Sequence, residues 1–292
     1  MILNETRGYK VFKAFNVLIM LLVIFVTLYP FIYLAAISFS DEAYVYAGQV
    51  TFLPKGFTTL TYKVLMKEKQ FWTGYKNTII YTVVGTAISL FMTTIMAYPL
   101  SKKRLKGRGV ILAFVVFTMY FNAGLIPNYL LVKSLGMRNT IWAVTIPGAI
   151  STYNMIIMRT FFEGLPNELE EAAMIDGMGT YGILLKIVLP LSKPILATMT
   201  LFYAVGAWNN WFGPFLYFDK PELFPVTLYL RNMIAGAQQT AVSSGSDTEA
   251  MTQIAATVKA ATTILTVLPI LCIYPFIQKY FVAGVMIGSL KE

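Results

Sequence analysis

The sequence predicts an all-α membrane protein with six transmembrane helices and a polar cytoplasmic helical segment between the fourth and the fifth. The chain is 57% hydrophobic and 13% charged, whereas a soluble chain carries about 25% charged residues. Apolar runs of about 20 residues recur, which is the length that a helix needs to cross about 30 Å of hydrocarbon. A dense basic run between two of these apolar runs sets the orientation of the whole chain.

The first apolar run covers residues 15–37 and follows the basic residues Arg7, Lys10 and Lys13. A basic start before an apolar run is also typical of a signal peptide, whose apolar part has about 7–15 residues. This run is longer and continues through Pro30 without a clear cleavage site. We therefore expect an uncleaved transmembrane helix here.

The remaining apolar runs predict transmembrane helices at residues 78–100, 110–132, 140–162, 195–218 and 258–281. The basic run Ser101–Arg108 holds five Lys or Arg residues in eight, so it predicts a cytoplasmic loop after the second helix. The total Lys and Arg counts on the two sides differ little, and this dense cluster decides the orientation. Both termini and residues 163–194 are then cytoplasmic.

Two long loops, residues 38–77 and 219–257, are predicted to face outward. Their length indicates an external partner or ligand. For residues 219–257, a flexible connection is the alternative, because the loop contains the Ser/Gly-rich stretch 243–247.

The composition excludes several kinds of site. The chain has no histidine and a single cysteine, Cys272, which removes cysteine-based metal sites and disulfides and the commonest general base. The net charge of +9 is explained by basic cytoplasmic loops rather than by nucleic-acid binding. We identify no confident charged residue inside the predicted spans, which argues against a proton-coupled carrier.

The polar segment 163–194 carries five of the chain's fourteen acidic residues. Pro166 suits the first turn of a helix, and the acidic residues that follow it lie near the positive end of the helix dipole. Gly177 and Gly179 predict a sharp turn, followed by a second helical stretch that stops at Pro190. An ordinary amphipathic cytoplasmic loop is the alternative explanation of these features.

The spacing within this segment resembles the EAA motif of ABC-importer permeases. Its matching positions are Glu171, Ala172, Ala173, Asp176, Gly177, Ile187, Leu189 and Pro190. The resemblance covers nearly the whole chain and is closest to the second permease of maltose-type carbohydrate importers, in the branch that handles oligosaccharides. It includes the tail Gly284–Lys291, although Glu292 stands where the family usually ends in glycine.

This resemblance implies one transmembrane domain, residues 1–292, with a cytoplasmic coupling helix between helices four and five. The implied coupling residues are Glu171, Ala172, Ala173, Asp176, Gly177, Leu189 and Pro190. The implied partners are a second permease subunit, a dimer of ATP-binding subunits that holds ATP and Mg²⁺, and an extracellular or periplasmic solute-binding protein. The chain has no GxxxxGK[ST] stretch to hold a nucleotide phosphate itself, and we expect no cofactor in it.

A candidate substrate pathway is indicated by polar and aromatic residues near the middle of three predicted helices. These residues are Tyr120, Asn122, Tyr153, Asn154, Trp208, Asn209, Asn210 and Trp211. Sugars contact aromatic faces and amides, but midplane Asn residues also join helices structurally, and Trp211 could belong to the outer aromatic belt. The stretches 124–127 and 146–148 predict either broken helices or packing kinks.

The sequence thus predicts a permease subunit that moves an oligosaccharide across the bacterial cytoplasmic membrane by alternating access. A permease for a peptide or another small solute is the alternative within the same class. A secondary carrier and a membrane enzyme are less favoured, because the spans hold no confident charge and no carboxylate pair or metal cluster.

Overall fold

The computed structural model describes residues 7–243, 256–273 and 275, and within these residues the chain folds into α-helices without a β-strand. The helices are α1 (Arg7–Ser38), α2 (Glu42–Tyr46), α3 (Leu60–Lys67), α4 (Lys69–Ser101), α5 (Arg108–Tyr120), α6 (Leu125–Ser134), α7 (Trp142–Thr145), α8 (Thr152–Glu163), α9 (Asn167–Ile175), α10 (Thr180–Leu191), α11 (Lys193–Trp208), α12 (Phe212–Tyr217), α13 (Val226–Ser243) and α14 (Ala256–Ile273).

Three of these helices, α1, α4 and α14, are long and apolar enough to cross a membrane. Two bent pairs also qualify if each counts as one span: α5 with α6, bent by 113°, and α10 with α11, bent by 83°. The described residues therefore contain three to five candidate spans by length and composition. The all-helical membrane class is confirmed at this level.

The first two predicted spans lie within α1 and α4. Helix α4 begins at Lys69 rather than at residue 78, so the predicted loop 38–77 is too long at its end. The loop itself also holds α2 and α3. The early start of α4 has a packing reason, because Phe71 is buried and contacts the rings of Tyr75 and Tyr229 at 5.0 and 6.3 Å.

The third, fourth and fifth predicted spans are interrupted. Residues 121–124 separate α5 from α6, with Gly124 at φ +92°, a conformation that favours glycine. The predicted helix 140–162 is divided into α7 and α8, and the predicted helix 195–218 is broken at residues 209–211. At the last break, the side-chain oxygen of Asn210 accepts a hydrogen bond from the Gly213 N–H at 3.0 Å, which starts a new helix, α12.

The outer loop 219–257 is also more regular than predicted, since it contains α13 after a short 3₁₀ turn at Pro221–Leu223. Residues 244–255, which include most of the Ser/Gly-rich stretch, lie outside the described residues. So do the end of the sixth predicted span beyond residue 275 and the tail that follows it.

The chain divides into two compact units, Met1–Lys69 with Leu230–Leu268, and Gln70–Tyr229 with Pro269–Glu292. In the first unit, Ala36 and Ile37 at the end of α1 pack with Val50 and with Ala260 of α14. In the second unit, the buried core joins α4, α8, α9, α10 and α11 around Met155, Met158, Phe162, Ile183 and Met199. This second core positions the candidate coupling residues on α9 and part of the candidate substrate pathway.

Candidate functional site

Helix α9 ends in a turn that depends on Gly177. The Met178 N–H donates to the Ala173 carbonyl at 2.9 Å, and the Gly177 N–H donates to the Met174 carbonyl at 3.0 Å. This pair of bonds is the Schellman arrangement, in which the residue after the cap adopts a left-handed conformation. Gly177 has φ +79°, as that arrangement needs. The sharp turn predicted at Gly177 is thus present.

The start of α9 lies close to the predicted position. Pro166 precedes the helix, which begins at Asn167, and Glu168 and Glu170 occupy the first turn. Acidic side chains in this turn interact favourably with the helix dipole, by about 0.3–1 kcal/mol each at an exposed site. The second helical stretch differs from the prediction, because α10 continues past Pro190 to Leu191.

A π-helical segment explains how α10 passes Pro190. Residues Leu184–Val188 form the π-turn, and the Leu189 N–H donates to the Leu184 carbonyl, five residues earlier. Proline has no N–H to continue an α-helical ladder, and a wider turn shifts the hydrogen-bond register around it. Leu189 and Pro190 therefore lie in the last turn of α10, which ends at Leu191.

The two neighbouring glutamates of α9 face different surroundings. Glu170 is buried, with its carboxylate 2.5 Å from Lys102 Nζ and 3.5 Å from the Tyr98 hydroxyl. Glu171 is exposed and makes no ion pair or hydrogen bond through its side chain within the described residues. Ala173 is buried, whereas Ala172 is exposed beside Glu171.

A second ionic cluster forms around Glu163, the first residue of the polar segment 163–194. Glu163 pairs with Arg108 at 2.5 Å and with Arg159 at 2.8 Å. Both guanidinium groups also donate through Nε to the Leu100 carbonyl, at 2.8 and 3.0 Å. This carbonyl belongs to the last turn of α4, where cations interact favourably with the helix dipole. The end of α4, the start of α5 and the end of α8 are therefore joined at one point.

A charged groove of about 470 Å³ lies between the basic loop and α9. Its lining residues are Ser101, Lys102, Lys103, Arg104, Glu163, Asn167, Glu170, Glu171 and Met174. Asp176 and Gly177 are exposed next to the end of α9. The coupling residues inferred from the sequence are thus divided between a buried face, with Ala173, and an open face, with Glu171, Ala172 and Asp176.

The candidate pathway residues are only partly brought together. Asn154 and Asn210 line a cavity of about 310 Å³ in the second unit. Tyr120 and Tyr153 are 85% and 60% exposed and line neither of the two described cavities. Asn122 is exposed, and its side-chain oxygen accepts a hydrogen bond from the Gly124 N–H at 2.9 Å.

The Trp208–Trp211 stretch does not act as one surface. Trp208 is buried, with its ring 6.3 Å from that of Tyr75, while Asn209 is exposed. Trp211 is 40% exposed and lies against Phe212 and Phe215, with ring centroids 5.5 and 6.1 Å away. Of these four consecutive residues, Asn210 lines the cavity.

The sequence does not single out several residues of these sites. Lys102 and Arg108 belong to the basic run that predicts the orientation, and Arg159 falls inside the predicted span 140–162. The spacing of Arg159 and Glu163 by four residues on a helix was the available signal for their pairing. Ser89 and Tyr203, which line the cavity, carried no comparable signal in the sequence.

A further cluster lies in the connection after α6 and the segment after α12. Arg138 donates to both carboxylate oxygens of Asp219, at 2.8 and 2.6 Å. Asn139, at φ +57°, donates to the same carboxylate at 3.0 Å and accepts a hydrogen bond from the Asp219 N–H at 2.7 Å. The hydrogen bond from Asn139, together with the charge of Arg138, lowers the pKa of the Asp219 carboxyl from its ordinary value.

The chain is similar over nearly its full length to known transport proteins, although no family model matches it. It is 42% identical to Protein LplC of Bacillus subtilis, covering 99% of this chain and 98% of that protein. It is 38% identical to the polygalacturonan/rhamnogalacturonan transport system permease protein YtcP of the same organism, covering 96% and 99%.

A solved structure agrees with these relatives. It is the crystal structure of a bacterial ABC transporter involved in the import of the acidic polysaccharide alginate, with a TM-score of 0.84 and 35% identity over 94% of this chain and 98% of that chain. The resemblance inferred from residues 171–190 is thus confirmed by matches to the whole chain. The chain belongs to the permease family of bacterial sugar ABC importers, as a membrane transport subunit and not an enzyme.

Proposed function

We propose that this chain is the second permease of an oligosaccharide importer and that α9 is its coupling helix. The supporting observation is the contrast between Glu170, which is buried against Lys102, and Glu171, which is exposed and unpaired within the described residues. The helix is anchored through one glutamate and presents the next to a partner. An ATP-binding subunit with a basic or hydrogen-bonding group in its groove fits this arrangement.

The proposed topology has six spans, with both termini and residues 163–194 in the cytoplasm. The interrupted third, fourth and fifth spans are counted as one crossing each. Non-helical backbone at membrane depth is tolerated where it is buried in protein or lines a cavity, and Gly148 and Asn210, at two of the interruptions, do line one. A second permease completes the pathway, and an external binding protein delivers the sugar.

The proposed cycle is alternating access. ATP and Mg²⁺ bind to two partner ATPases, whose closure moves α9 of this chain and the corresponding helix of the second permease. The Glu170–Lys102 pair and the Glu163 cluster join this segment to α4, α5 and α8. We infer that these contacts carry the displacement to the helices around the cavity.

The decisive experiment replaces Glu171 with Lys in the complete importer. We expect Glu171→Lys to lower co-purification of the ATP-binding subunit by at least about ten-fold, because truncating or reversing one partner of an interfacial charge pair costs about 2–5 kcal/mol. Glu168→Lys is the matched control, since Glu168 is also exposed on α9. Equal yields for Glu171→Lys and the wild type would contradict the docking role.

The same purified complex identifies the class of substrate. ATPase activity is measured with the binding protein and arabinotriose, maltotriose or trigalacturonate. Stimulation by at least one of them supports an oligosaccharide importer. Stimulation by a peptide mixture and by none of the sugars would support the alternative peptide permease.

A further inference from the structure

The cavity in the second unit contains two polar groups that the protein itself leaves without partners. Asn154 and Ser89 are 7% and 6% exposed, and both line the cavity. Neither side chain makes a hydrogen bond within the described residues. Their amide and hydroxyl groups line the cavity, so they are available to hydrogen-bond a polar ligand that enters it.

The other hydroxyl groups around the cavity are already used in the fold. Thr145 Oγ1 donates to the Ile141 carbonyl at 3.0 Å. The Tyr203 hydroxyl lies 2.6 Å from Thr93 Oγ1 and accepts a hydrogen bond from the Ser151 N–H at 3.3 Å. The hydroxyls of Thr145 and Tyr203 thus make hydrogen bonds within the fold, whereas the side chains of Asn154 and Ser89 do not.

The walls of the cavity are uncharged. No Asp, Glu, Lys or Arg is among the described residues that line it, and aromatic rings come from Tyr81, Phe202 and Tyr203. A carboxylate or an ammonium group would be buried there without a counter-charge, which is costly. Amides, hydroxyls and aromatic faces together suit the hydroxyl groups and C–H surfaces of a neutral sugar.

The size and shape of the cavity fit one ring. Its volume of about 310 Å³ is at the lower end of the range of ligand pockets, about 300–1,000 Å³. Gly148 and Gly206 line it, and a Cβ atom added at either glycine would meet no other atom within 4 Å. There is therefore open space over both backbones.

We propose that this cavity binds one uncharged sugar ring of the transported oligosaccharide, with Asn154 and Ser89 as its hydrogen-bonding residues. The inference rests on the proposed function, because it needs an oligosaccharide to be the cargo. It goes further in assigning a binding site to this subunit and in requiring the ring in that site to carry no charge.

The first test fills the cavity, or removes the Asn154 amide from its wall, in the complete importer with its partner subunits and binding protein. Gly206→Leu should lower uptake of the sugar that stimulates the ATPase by more than ten-fold, and Asn154→Leu by about ten-fold, with normal complex yield. Gly109→Leu is the control, since Gly109 has open space around it but does not line the cavity. Unchanged uptake in both cavity variants would overturn the proposal.

The second test detects occupancy directly. In a Cys272→Ser background, Ser89→Cys is labelled with a small methanethiosulfonate reagent in the presence of arabinotriose, maltotriose or trigalacturonate. We expect a neutral trisaccharide to slow labelling at least about three-fold, while an exposed control, Ser134→Cys, is unaffected. Protection by none of the sugars, or by trigalacturonate alone, would overturn the proposal.

The two proposals fail in different ways. If a sugar stimulates the ATPase and Glu171→Lys prevents assembly, the proposed function stands even when the cavity variants transport normally. If Gly206→Leu and Asn154→Leu both lose the complex and Ser89→Cys shows no protection, the cavity residues act in folding or assembly, and the sugar site is wrong.

Discussion

The charged cluster beside α9 and the uncharged cavity beside α8 use opposite chemistry in one unit of the protein. Around Glu163 and Glu170, three basic groups approach the two carboxylates to within 2.5–2.8 Å. Around Asn154 and Ser89, the described lining holds no charge. The first region is made of contacts that hold elements together, and the second is made of groups that can accept and release a ligand.

The difference has a physical basis. An ion pair with additional hydrogen bonds is strongly directional, and removing one partner leaves a buried charge. Such a cluster resists deformation when a neighbouring subunit moves it. A neutral hydrogen bond contributes a net free energy of only about 0.5–1.5 kcal/mol, so a sugar held by such bonds can leave within each transport cycle.

The largest effect on the contrast between the two regions is expected from reversing the charge of one partner in the buried Lys102–Glu170 pair. Lys102→Glu or Glu170→Lys should destabilise the complex by up to about 3–5 kcal/mol and abolish most uptake, because a charge stays buried against a like charge. The double variant with both substitutions should recover part of the uptake. The measurement is uptake per assembled complex.

A matched control for the charge change is Lys103→Glu, since Lys103 is an exposed neighbour in the same groove. If the double variant behaved like the sum of the two single variants, the pair would have no specific coupling, and the connection from α9 to α4 would need another explanation.

Replacing Gly177, in the turn after α9, should have an intermediate effect on transport. Gly177→Val should lower transport about ten-fold, since a left-handed backbone costs a non-glycine residue about 1–2 kcal/mol, and a β-branched residue more. A Cβ atom at Gly177 meets nothing within 4 Å, so the cost comes from the backbone conformation rather than from a clash.

Gly177→Asn separates conformation from shape, because Asn tolerates the left-handed region better than most residues. It should retain most of the transport measured in the same uptake assay. Equal losses for Val and Asn would show that the surface at Gly177, and not its φ angle, is what the partner requires.

The smallest expected effect is at Asp219, whose ion pair with Arg138 is exposed. Asp219→Asn should lower the melting temperature of the purified complex by no more than about 2 °C, because exposed pairs contribute little. Since the folded-state pKa of Asp219 is lowered, its contribution is present above the ordinary value of 3.8 and is lost as the pH falls through the lowered value.

Melting curves of the wild type and Asp219→Asn at about pH 8 and about pH 5 should therefore differ by the same amount, because Asp219 is ionised at both values. A difference that stayed unchanged as the pH fell below 3.8 would show that the carboxyl has no lowered pKa.

The sequence predicts the helical membrane class and the turn at Gly177 because both depend on local signals, apolar run length and a glycine after a helix. It could not separate Glu170 from Glu171. Adjacent residues on a helix point about 100° apart, and which of them is buried depends on Lys102, which lies 68 positions away in the chain.

The interruptions of the spans were only partly predictable. The breaks at 124 and at 146–148 carry Gly and Pro signals, which predict either broken helices or packing kinks. The break at Asn209–Trp211 was missed, because a hydropathy pattern does not show that Asn210 can begin a new helix through its side chain. The burial of Trp208 against Tyr75 depends on tertiary packing, which no local pattern contains.

Helix α4 has a mechanical consequence for the importer, since it carries Ser89 in the cavity and Leu100 beneath the two guanidinium groups. Eleven residues of helix separate these points by about 16 Å. A tilt of about 10° about Leu100 would displace Ser89 by about 3 Å, which is a full hydrogen-bond length. Closure of the ATPases would then change the affinity for the sugar through a rigid movement of α4. A mutation that changes the flexibility of α4 near Ser89 or near Leu100 should therefore change both sugar affinity and coupling to the ATPases.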